Sequence, residues 1–189
     1  KGKRCENKKE MLINTRVVAW NKLIKTSIIK ENNLEFPKGL RYEDIEFTYK
    51  LIPYINKVSF LKEPMVHYIQ RDNSISNNQN ERNKEIFDVL DNVIQYYKDK
   101  NIYDEYKEEL EYVYTRYLLC SSFLRMVKIQ DKKIRKELLS QTWKNLNMKF
   151  PKWKENKILK NGKGNKNRYM KSVNKTTFKI YSCLFRLKK

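Results

Sequence analysis

The stretch GLRYEDIEFTYKLIPYI, residues 39–55, predicts a helix that begins near Tyr42 and ends near Ile55. Its apolar residues recur at the spacing of a helix with one buried face. They are Ile45, Phe47, Leu51, Ile52 and Ile55. Pro37 and Gly39 precede the helix and predict a turn there.

Two adjacent acids, Glu43 and Asp44, fall in the first turn of this helix. Carboxylates are stabilised at that position by the helix dipole and by backbone N–H groups that lack intrahelical partners. The pair therefore suits an ordinary helix start. A carboxylate can also take a proton from a substrate, and it can do so where the dipole favours its charged form if the proton transfer is late. From these residues alone, both interpretations stay open.

On either side of this helix the apolar pattern changes. Helical spacing before it predicts a helix over residues 17–32. After it, residues 57–71 have strand character that Pro64 interrupts, and a polar loop follows. Three further helices are expected over residues 79–100, 103–129 and 131–147. We expect three segments, namely residues 1–78, a helical subdomain over residues 79–148, and a basic amphipathic tail over residues 149–189.

The composition excludes several classes of protein. The chain has 189 residues, 40% of them hydrophobic, so it has material for a core and is not globally disordered. Only 4 Gly and 4 Pro argue against an all-β fold with many turns. No apolar run approaches the ~18 residues that a bilayer-spanning helix needs. The chain begins at Lys1 without an initiator Met, so we expect it to be a segment of a longer protein.

The three cysteines, Cys5, Cys120 and Cys183, are far apart and odd in number. They offer neither a zinc-binding spacing nor a disulfide framework, which favours a reducing cytoplasm. The single histidine, His67, lies in an apolar stretch and is interpreted as a core or strand-surface residue rather than a metal ligand. A Gly-rich phosphate loop and a nucleophile elbow are both absent from the sequence.

The net charge of +20 is concentrated at the C-terminal end. Residues 151–189 contain 13 Lys or Arg and one acid, Glu155, which gives this segment +12. Such a segment suits an anionic partner, namely nucleic acid, anionic lipid or an acidic polymer. The alternative is a solvated Lys/Asn-rich tail. The stretch after Pro151, residues 152–171, is predicted to be a low-complexity basic linker.

The last stretch, TTFKIYSCLFRLKK, residues 176–189, combines apolar and basic residues. It is too short to span a bilayer but suits the membrane interface. Its apolar cluster is Phe178, Leu184, Phe185 and Leu187. We expect these residues to contact an anionic membrane surface, which would make the protein peripheral at the inner face of the cell membrane. The alternative is that the same residues fold back on the protein body.

Residues 17–76 contain several short sequences in a characteristic order. They are Trp20-Asn21-Lys22-Leu23, Phe36-Pro37 with Gly39 ahead of Glu43-Asp44, Pro64 before a tyrosine-bearing stretch, Gln70-Arg71, and Ser74-Ile75-Ser76. In this order they resemble the C-terminal half of the catalytic domain in family 2 glycosyltransferases of the bacterial capsule and lipopolysaccharide type. The resemblance covers about a third of the chain.

The resemblance implies that residues 1–78 are the acceptor-side portion of a GT-A domain. The expected fold class is thus a mostly helical α/β fragment that completes a GT-A sheet, followed by a helical extension. The implied reaction transfers a sugar from a nucleotide-sugar donor to a glycan or lipid-linked acceptor in cell-surface polysaccharide synthesis, with inversion at the anomeric carbon. Asp44 matches the catalytic base of the family, and Glu43 is its neighbour in the same motif.

The other matched residues carry two interpretations each. Trp20, Asn21 and Lys22 either shape the acceptor side or dock their own helix. Arg71, Ser74 and Ser76 either approach the donor diphosphate, since a guanidinium and hydroxyls suit phosphate oxygens, or form a plain exit from the strand.

The chain departs from the family in lacking the donor-binding half with its D-x-D motif. The divalent metal, Mg or Mn, is expected to bind through that motif outside this chain, so this segment is expected to be inactive alone. The competing function is a basic helical module that binds nucleic acid or anionic lipid without catalysis. Acids at the start of the expected helix 103–129 make nucleic acid an unlikely partner there. A scaffold without activity is a third alternative.

Overall fold

The structure is a computed structural model and describes residues 4–69 and 78–187. It is mostly helical, with very little strand. The α-helices are α1 Lys8–Asn14, α2 Thr26–Glu31, α3 Glu43–Leu51, α4 Glu85–Asp99, α5 Tyr103–Arg116, α6 Ser122–Met126, α7 Lys132–Lys149, α8 Lys157–Asn161, α9 Asn165–Ser172 and α10 Lys175–Leu187. A π-helical turn, Tyr117–Ser121, joins α5 to α6.

By their internal contacts the residues divide into two compact units. The first unit comprises Lys1–Asp72 and Asp88–Tyr106, and the second comprises Asn73–Phe87 and Lys107–Lys189. These ranges group the chain differently from the three segments expected from the sequence.

The core of the first unit forms around α3. Leu34, Phe47 and Leu51 are buried together, and half-buried apolar residues pack around them. Two tyrosines of α4 add hydrogen bonds to this core. The Tyr97 hydroxyl donates to the carbonyl of Tyr49 at 2.9 Å, and the hydroxyls of Tyr96 and Tyr54 lie 2.6 Å apart. Since a buried hydroxyl needs a partner, these bonds fix α4 against α3.

The helix predicted over residues 42–55 is confirmed. It consists of α3 and a 3₁₀ turn, Ile52–Tyr54, that contains Pro53. Of the apolar positions predicted to be buried, Ile45, Phe47, Leu51 and Ile52 are buried, whereas Ile55 is half-buried. The helical spacing of the sequence therefore identified the core face correctly.

The helix predicted over residues 17–32 is wrong in its first half. Only α2 and a short 3₁₀ turn, Ala19–Asn21, are helical there. The Lys22 ammonium donates to the carbonyl of Val18 at 2.7 Å and also to the carbonyl of Arg16. The side chain thus occupies carbonyls that a continuing helix would pair with backbone N–H groups.

The strand predicted over residues 57–71 is mostly absent from its described part. Only β2, Val58–Ser59, is a strand, and it pairs antiparallel with β1, Arg4–Cys5. Residues 60–69 are exposed and have no regular helix or strand. A strand needs a neighbour for its backbone N–H and C=O groups, and within residues 4–69 and 78–187 only this two-residue partner pairs with it.

The second unit is a helical assembly built on α5, α6 and α7. Its fully buried side chains include Leu118, Leu119, Phe123, Met126 and Leu146. The helices predicted over residues 79–100, 103–129 and 131–147 are confirmed, with a 3₁₀ turn at the start of the first and the π-helical turn within the second.

The linker predicted after Pro151 is wrong, because the basic segment is folded. It forms α8 and α9, and five apolar residues from it and from the start of α10 are buried in the second unit: Trp153, Leu159, Met170, Val173 and Phe178. Asn156 caps α8 by accepting hydrogen bonds from the N–H groups of Ile158 and Leu159, both at 3.1 Å. A few widely spaced apolar side chains therefore anchor this lysine-rich segment to the core of the second unit.

None of the helices in the described part of the chain combines the length and the apolar character needed to cross a bilayer.

Candidate functional site

The predicted acids occupy the first two positions of α3. Glu43 is exposed and Asp44 is half-buried. The residue at the N-cap is Tyr42, whose side chain makes no capping hydrogen bond. Neither acid is therefore the N-cap itself. Both lie in the first turn, where the positive end of the helix dipole favours a carboxylate.

The turn before α3 has an uncommon backbone. Gly39 has φ 78°, as a glycine readily does, but Tyr42 also lies in the left-handed region, with φ 66° and ψ 24°. This conformation costs a non-glycine residue roughly 1–2 kcal/mol. The Tyr42 carbonyl accepts a hydrogen bond from the N–H of Ile45 at 2.9 Å, so the helix begins directly after the bend. Asp44 therefore lies two residues after the bend, within the first turn of α3.

A second chain segment lies beside this helix start. The Thr48 hydroxyl on α3 donates to the carbonyl of Val17 at 3.0 Å, which ties the segment before the 3₁₀ turn Ala19–Asn21 to α3. Lys22 follows that turn, and its ammonium also donates to the side-chain oxygen of Asn21 at 2.7 Å. Together with the carbonyls of Arg16 and Val18, this oxygen uses all three donors of the ammonium.

Lys22 and Asp44 interact electrostatically, although they are far apart in the sequence. Burial lowers the pKa of the Lys22 ammonium below its usual value, the negative charge of Asp44 opposes this by raising it, and the positive charge of Arg16 lowers it further. Lys22 is half-buried, so its interaction with the Asp44 carboxylate is screened less by solvent than that of a fully exposed pair. The structure therefore brings together two of the predicted site regions.

An exposed aromatic pair lies in the same unit. The rings of Trp20 and Tyr68 are stacked, with centroids 5.3 Å apart and planes 20° apart. The guanidinium of Arg16 lies over the Trp20 ring, 5.7 Å from its centroid. Trp20 is 42% exposed and Tyr68 is more exposed still. Flat, exposed aromatic surface with polar edges suits a ligand that has both apolar and hydroxyl-bearing faces.

These residues form the candidate site: Arg16, Trp20, Asn21, Lys22, Asp44 and Tyr68. Sequence analysis did not assign Arg16 or Tyr68 to it. Tyr68 belongs to the tyrosine-bearing stretch after Pro64, which was a usable signal. Its stacking on Trp20 was not predictable, because an irregular segment carries no spacing rule that relates two residues so far apart. The predicted donor-side residues Arg71, Ser74 and Ser76 lie outside the described residues.

The acid that follows Asp44 on α3 has a structural role. Glu46 is buried. Its carboxylate accepts one hydrogen bond from the Lys50 ammonium at 2.6 Å and another from the Asn92 amide at 3.0 Å. Because these partners occupy both of its oxygens, Glu46 is not added to the candidate site. Among residues 4–69 and 78–187, no three His, Cys, Asp or Glu side chains are grouped as metal ligands would be.

A separate cleft lies entirely within the second unit. Its volume is about 270 Å³, and it is lined by residues of α7, of the segment 151–155 and of the start of α10, including Trp143, Trp153 and Asn174. None of the residues predicted to be functional lines it. All of its lining residues belong to the second unit, so we do not assign the cleft to the Asp44 site.

Comparisons of the chain with protein-family models, with curated proteins and with solved structures found no match.

Proposed function

We propose that this chain is the acceptor-side part of a family 2 glycosyltransferase, in which Asp44 is the catalytic base. The observation that carries the proposal is the placement of the half-buried Asp44 at the start of α3, in electrostatic contact with the desolvated Lys22. This arrangement places a candidate proton acceptor at a partly buried helix start, beside a basic side chain. The resemblance of residues 17–76 to the family supplies the reaction to which such a group would belong.

The proposed reaction is a single displacement. An acceptor hydroxyl attacks the anomeric carbon of a nucleotide sugar, its proton passes to the Asp44 carboxylate, and the nucleoside diphosphate leaves. The acceptor is a glycan or a lipid-linked sugar of a cell-surface polysaccharide. A divalent metal, Mg or Mn, would supply charge neutralisation for the leaving diphosphate, and we propose that a D-x-D motif outside this chain would hold it.

Trp20 and Tyr68 are proposed to bind the acceptor. A sugar ring presents an apolar face of C–H groups that packs on an aromatic ring, while its hydroxyls remain available for hydrogen bonds at the edge. Asn21 is next to Trp20, and part of its side chain is engaged by Lys22 at 2.7 Å. Lys22 is proposed to act through Asp44 as a positioning residue, because its three donors already have protein acceptors.

The proposed GT-A domain also explains an exposed apolar segment in the first unit. Exposed apolar residues are concentrated between residues 60 and 69: Phe60, Leu61, Met65, Val66, Tyr68 and Ile69. Several exposed apolar side chains within one short segment are typical of a site that another part of the protein covers. We propose that a donor-binding half of the full-length protein covers the part of this segment nearest β2, namely Phe60, Leu61 and Met65, extends β2 into a sheet and leaves Tyr68 accessible to the acceptor.

The test is the substitution Asp44→Asn in the full-length enzyme. It should lower kcat by about 10²–10⁴-fold, the usual contribution of a positioned general base, and leave nucleotide-sugar binding nearly unchanged. The measurement is the rate of sugar transfer together with the dissociation constant of the nucleotide sugar.

The matched control is Glu43→Gln, which removes the neighbouring and more exposed charge from the same helix turn. It should lower kcat less than about tenfold. If Asp44→Asn kept more than a tenth of the wild-type turnover, Asp44 would be a first-turn acid that only stabilises α3. Equal large losses for both variants would argue against a specific base.

A further inference from the structure

Helix α10 has two different apolar faces. Phe178, Tyr181 and Phe185 lie on the inner face. The Phe178 ring packs 4.8 Å from that of Phe123 and 5.3 Å from that of Trp143, and Phe185 contacts Phe123 at 6.1 Å between centroids. The aromatic residues therefore attach the helix to the second unit. This agrees with the sequence-based alternative in which these residues fold back on the protein body.

The outer face of α10 remains apolar and exposed. Ile180, Cys183, Leu184 and Leu187 follow the spacing i, i+3, i+4 and i+7, which places them in one stripe. Ile180 is 50% exposed, Leu184 is 53% exposed and Leu187 is 80% exposed, and Cys183 is an exposed free thiol. Of the apolar cluster predicted from sequence, only Leu184 and Leu187 thus face outward. We call these four residues the outer stripe.

Positive charge lies along one flank of the outer stripe. Lys175, Lys179 and Arg186 share one flank of α10, because they are spaced four and seven residues apart. Every Lys and Arg between Lys152 and Arg186 is exposed, and Glu155 is the only acid in that range. A ligand for this surface must therefore be anionic and must also accept apolar side chains.

We propose that the outer stripe of α10 docks into the interfacial region of an anionic lipid bilayer. A helix with basic residues beside an apolar stripe lies in the plane of such an interface, with its apolar side chains among the acyl chains and its charges at the headgroups. Nucleic acid matches the charge but offers no apolar phase for Ile180, Leu184 and Leu187. A neutral apolar protein surface would match the stripe but not the lysines. This inference does not depend on the proposed transferase activity.

The attachment of α10 by its inner face makes docking inexpensive in conformational entropy, because the helix is already formed before it meets the membrane. The same attachment makes deletion of residues 151–189 a poor experiment, since Trp153, Leu159 and Phe178 are core residues of the second unit. Point substitutions on the outer face are the suitable probes.

The experiment is co-sedimentation of the full chain with vesicles of phosphatidylcholine, with and without phosphatidylserine. Binding is expected only with phosphatidylserine and should weaken as salt is raised. Leu184→Glu should lower the apparent affinity at least about tenfold, because it removes apolar burial and adds repulsion. The matched control is Met148→Glu on α7, a side chain that is 70% exposed in the same unit and lies outside the stripe. It should change the affinity less than about fivefold, the effect of charge alone.

A second measurement locates the inserted face. Cys183 can carry an environment-sensitive fluorophore, whereas burial raises the pKa of the Cys120 thiol to about 11, which slows its reaction at neutral pH. With Cys5 replaced by serine, labelled Cys183 should shift to shorter emission wavelength on adding anionic vesicles. A label on Lys136→Cys, exposed on α7, in a Cys183→Ser background should not shift.

Several results would overturn the proposal. They are failure to bind phosphatidylserine vesicles, equal affinities of Leu184→Glu and Met148→Glu, and equal shifts of the two labels. Binding of an acidic protein or of nucleic acid by the same surface, with no binding to vesicles, would assign it to that other partner instead. Normal vesicle binding by the Asp44→Asn variant would show that docking and catalysis are separate properties.

Discussion

Two segments of the molecule differ in whether their apolar side chains are buried. Residues 60–69 in the first unit are rich in apolar side chains, yet all of them are exposed and none lies in a helix or strand. Residues 151–178 in the second unit are dominated by lysine, yet their few large apolar side chains, such as Trp153 and Phe178, are buried.

The difference follows from how each segment satisfies its backbone. A helix pairs its own N–H and C=O groups, so a basic segment can fold as α8, α9 and α10 and needs only a few apolar anchors on the core. An extended segment depends on a neighbouring strand, and β1 offers only two residues to β2. Apolar content alone therefore does not decide which segment is ordered against the body of a protein.

A protease gives the largest expected contrast between the two segments. Chymotrypsin should cut after Phe60, Leu61 or Tyr68 at least about 100-fold faster than after Trp153 or Leu159, because cleavage at buried residues requires local unfolding. Mass spectrometry of the first fragments formed at low enzyme concentration would measure this. Early cuts at Trp153 would mean that the basic segment is not anchored as described.

Substitution of two tryptophans sharpens the contrast. Trp153→Ala should lower the free energy of unfolding by about 3–5 kcal/mol, because it removes a large side chain that is 2% exposed. The same change at Trp20, which is 42% exposed and loses the stack on Tyr68 and the contact with the Arg16 guanidinium, should cost less than about 1.5 kcal/mol. Urea titrations followed by circular dichroism would compare them, and equal costs would contradict the assignment of Trp153 to the core.

A smaller effect is expected at the cap that begins the folded basic segment. Asn156 accepts two hydrogen bonds at the start of α8 and donates its amide to the carbonyl of Glu108 at 2.8 Å. Asn156→Ala should cost about 1–2 kcal/mol of unfolding free energy, as the loss of a helix cap does. Asn161→Ala, at the exposed end of α8, should stay within about 0.5 kcal/mol of the wild type in the same titration. Similar values for both would remove the role given to the cap.

The sequence predicted helices correctly where apolar residues recur at helical spacing along the whole element and pack into a core. The helix at 42–55 and the three helices from 79 to 147 have continuous helical spacing, and all are present. The prediction failed at residues 17–25, where the Lys22 side chain takes the carbonyls, and after residue 151, where a composition dominated by lysine concealed the anchors. In both places the outcome depends on contacts that local spacing does not encode.

The candidate site was predictable to a similar degree. The order of short motifs identified Asp44, Trp20 and Lys22 as candidate site residues. The predicted start of the helix at 42–55 also placed Asp44 in a first helical turn. The electrostatic contact of Lys22 with Asp44 and the stack of Trp20 on Tyr68 depend on tertiary structure. The donor-side expectation for Arg71, Ser74 and Ser76 stays a prediction.

The left-handed backbone conformation of Tyr42 affects both the stability of the fold and the proposed catalytic role of Asp44 in opposite ways. A glycine in its place would adopt the same φ and ψ without the steric penalty that a tyrosine carries, so a protein engineer seeking a more stable chain would begin there. The same change would loosen the bend directly before Asp44, since glycine also permits many other conformations. Residue 42 is thus a position at which optimising the fold and optimising the proposed chemistry call for different amino acids.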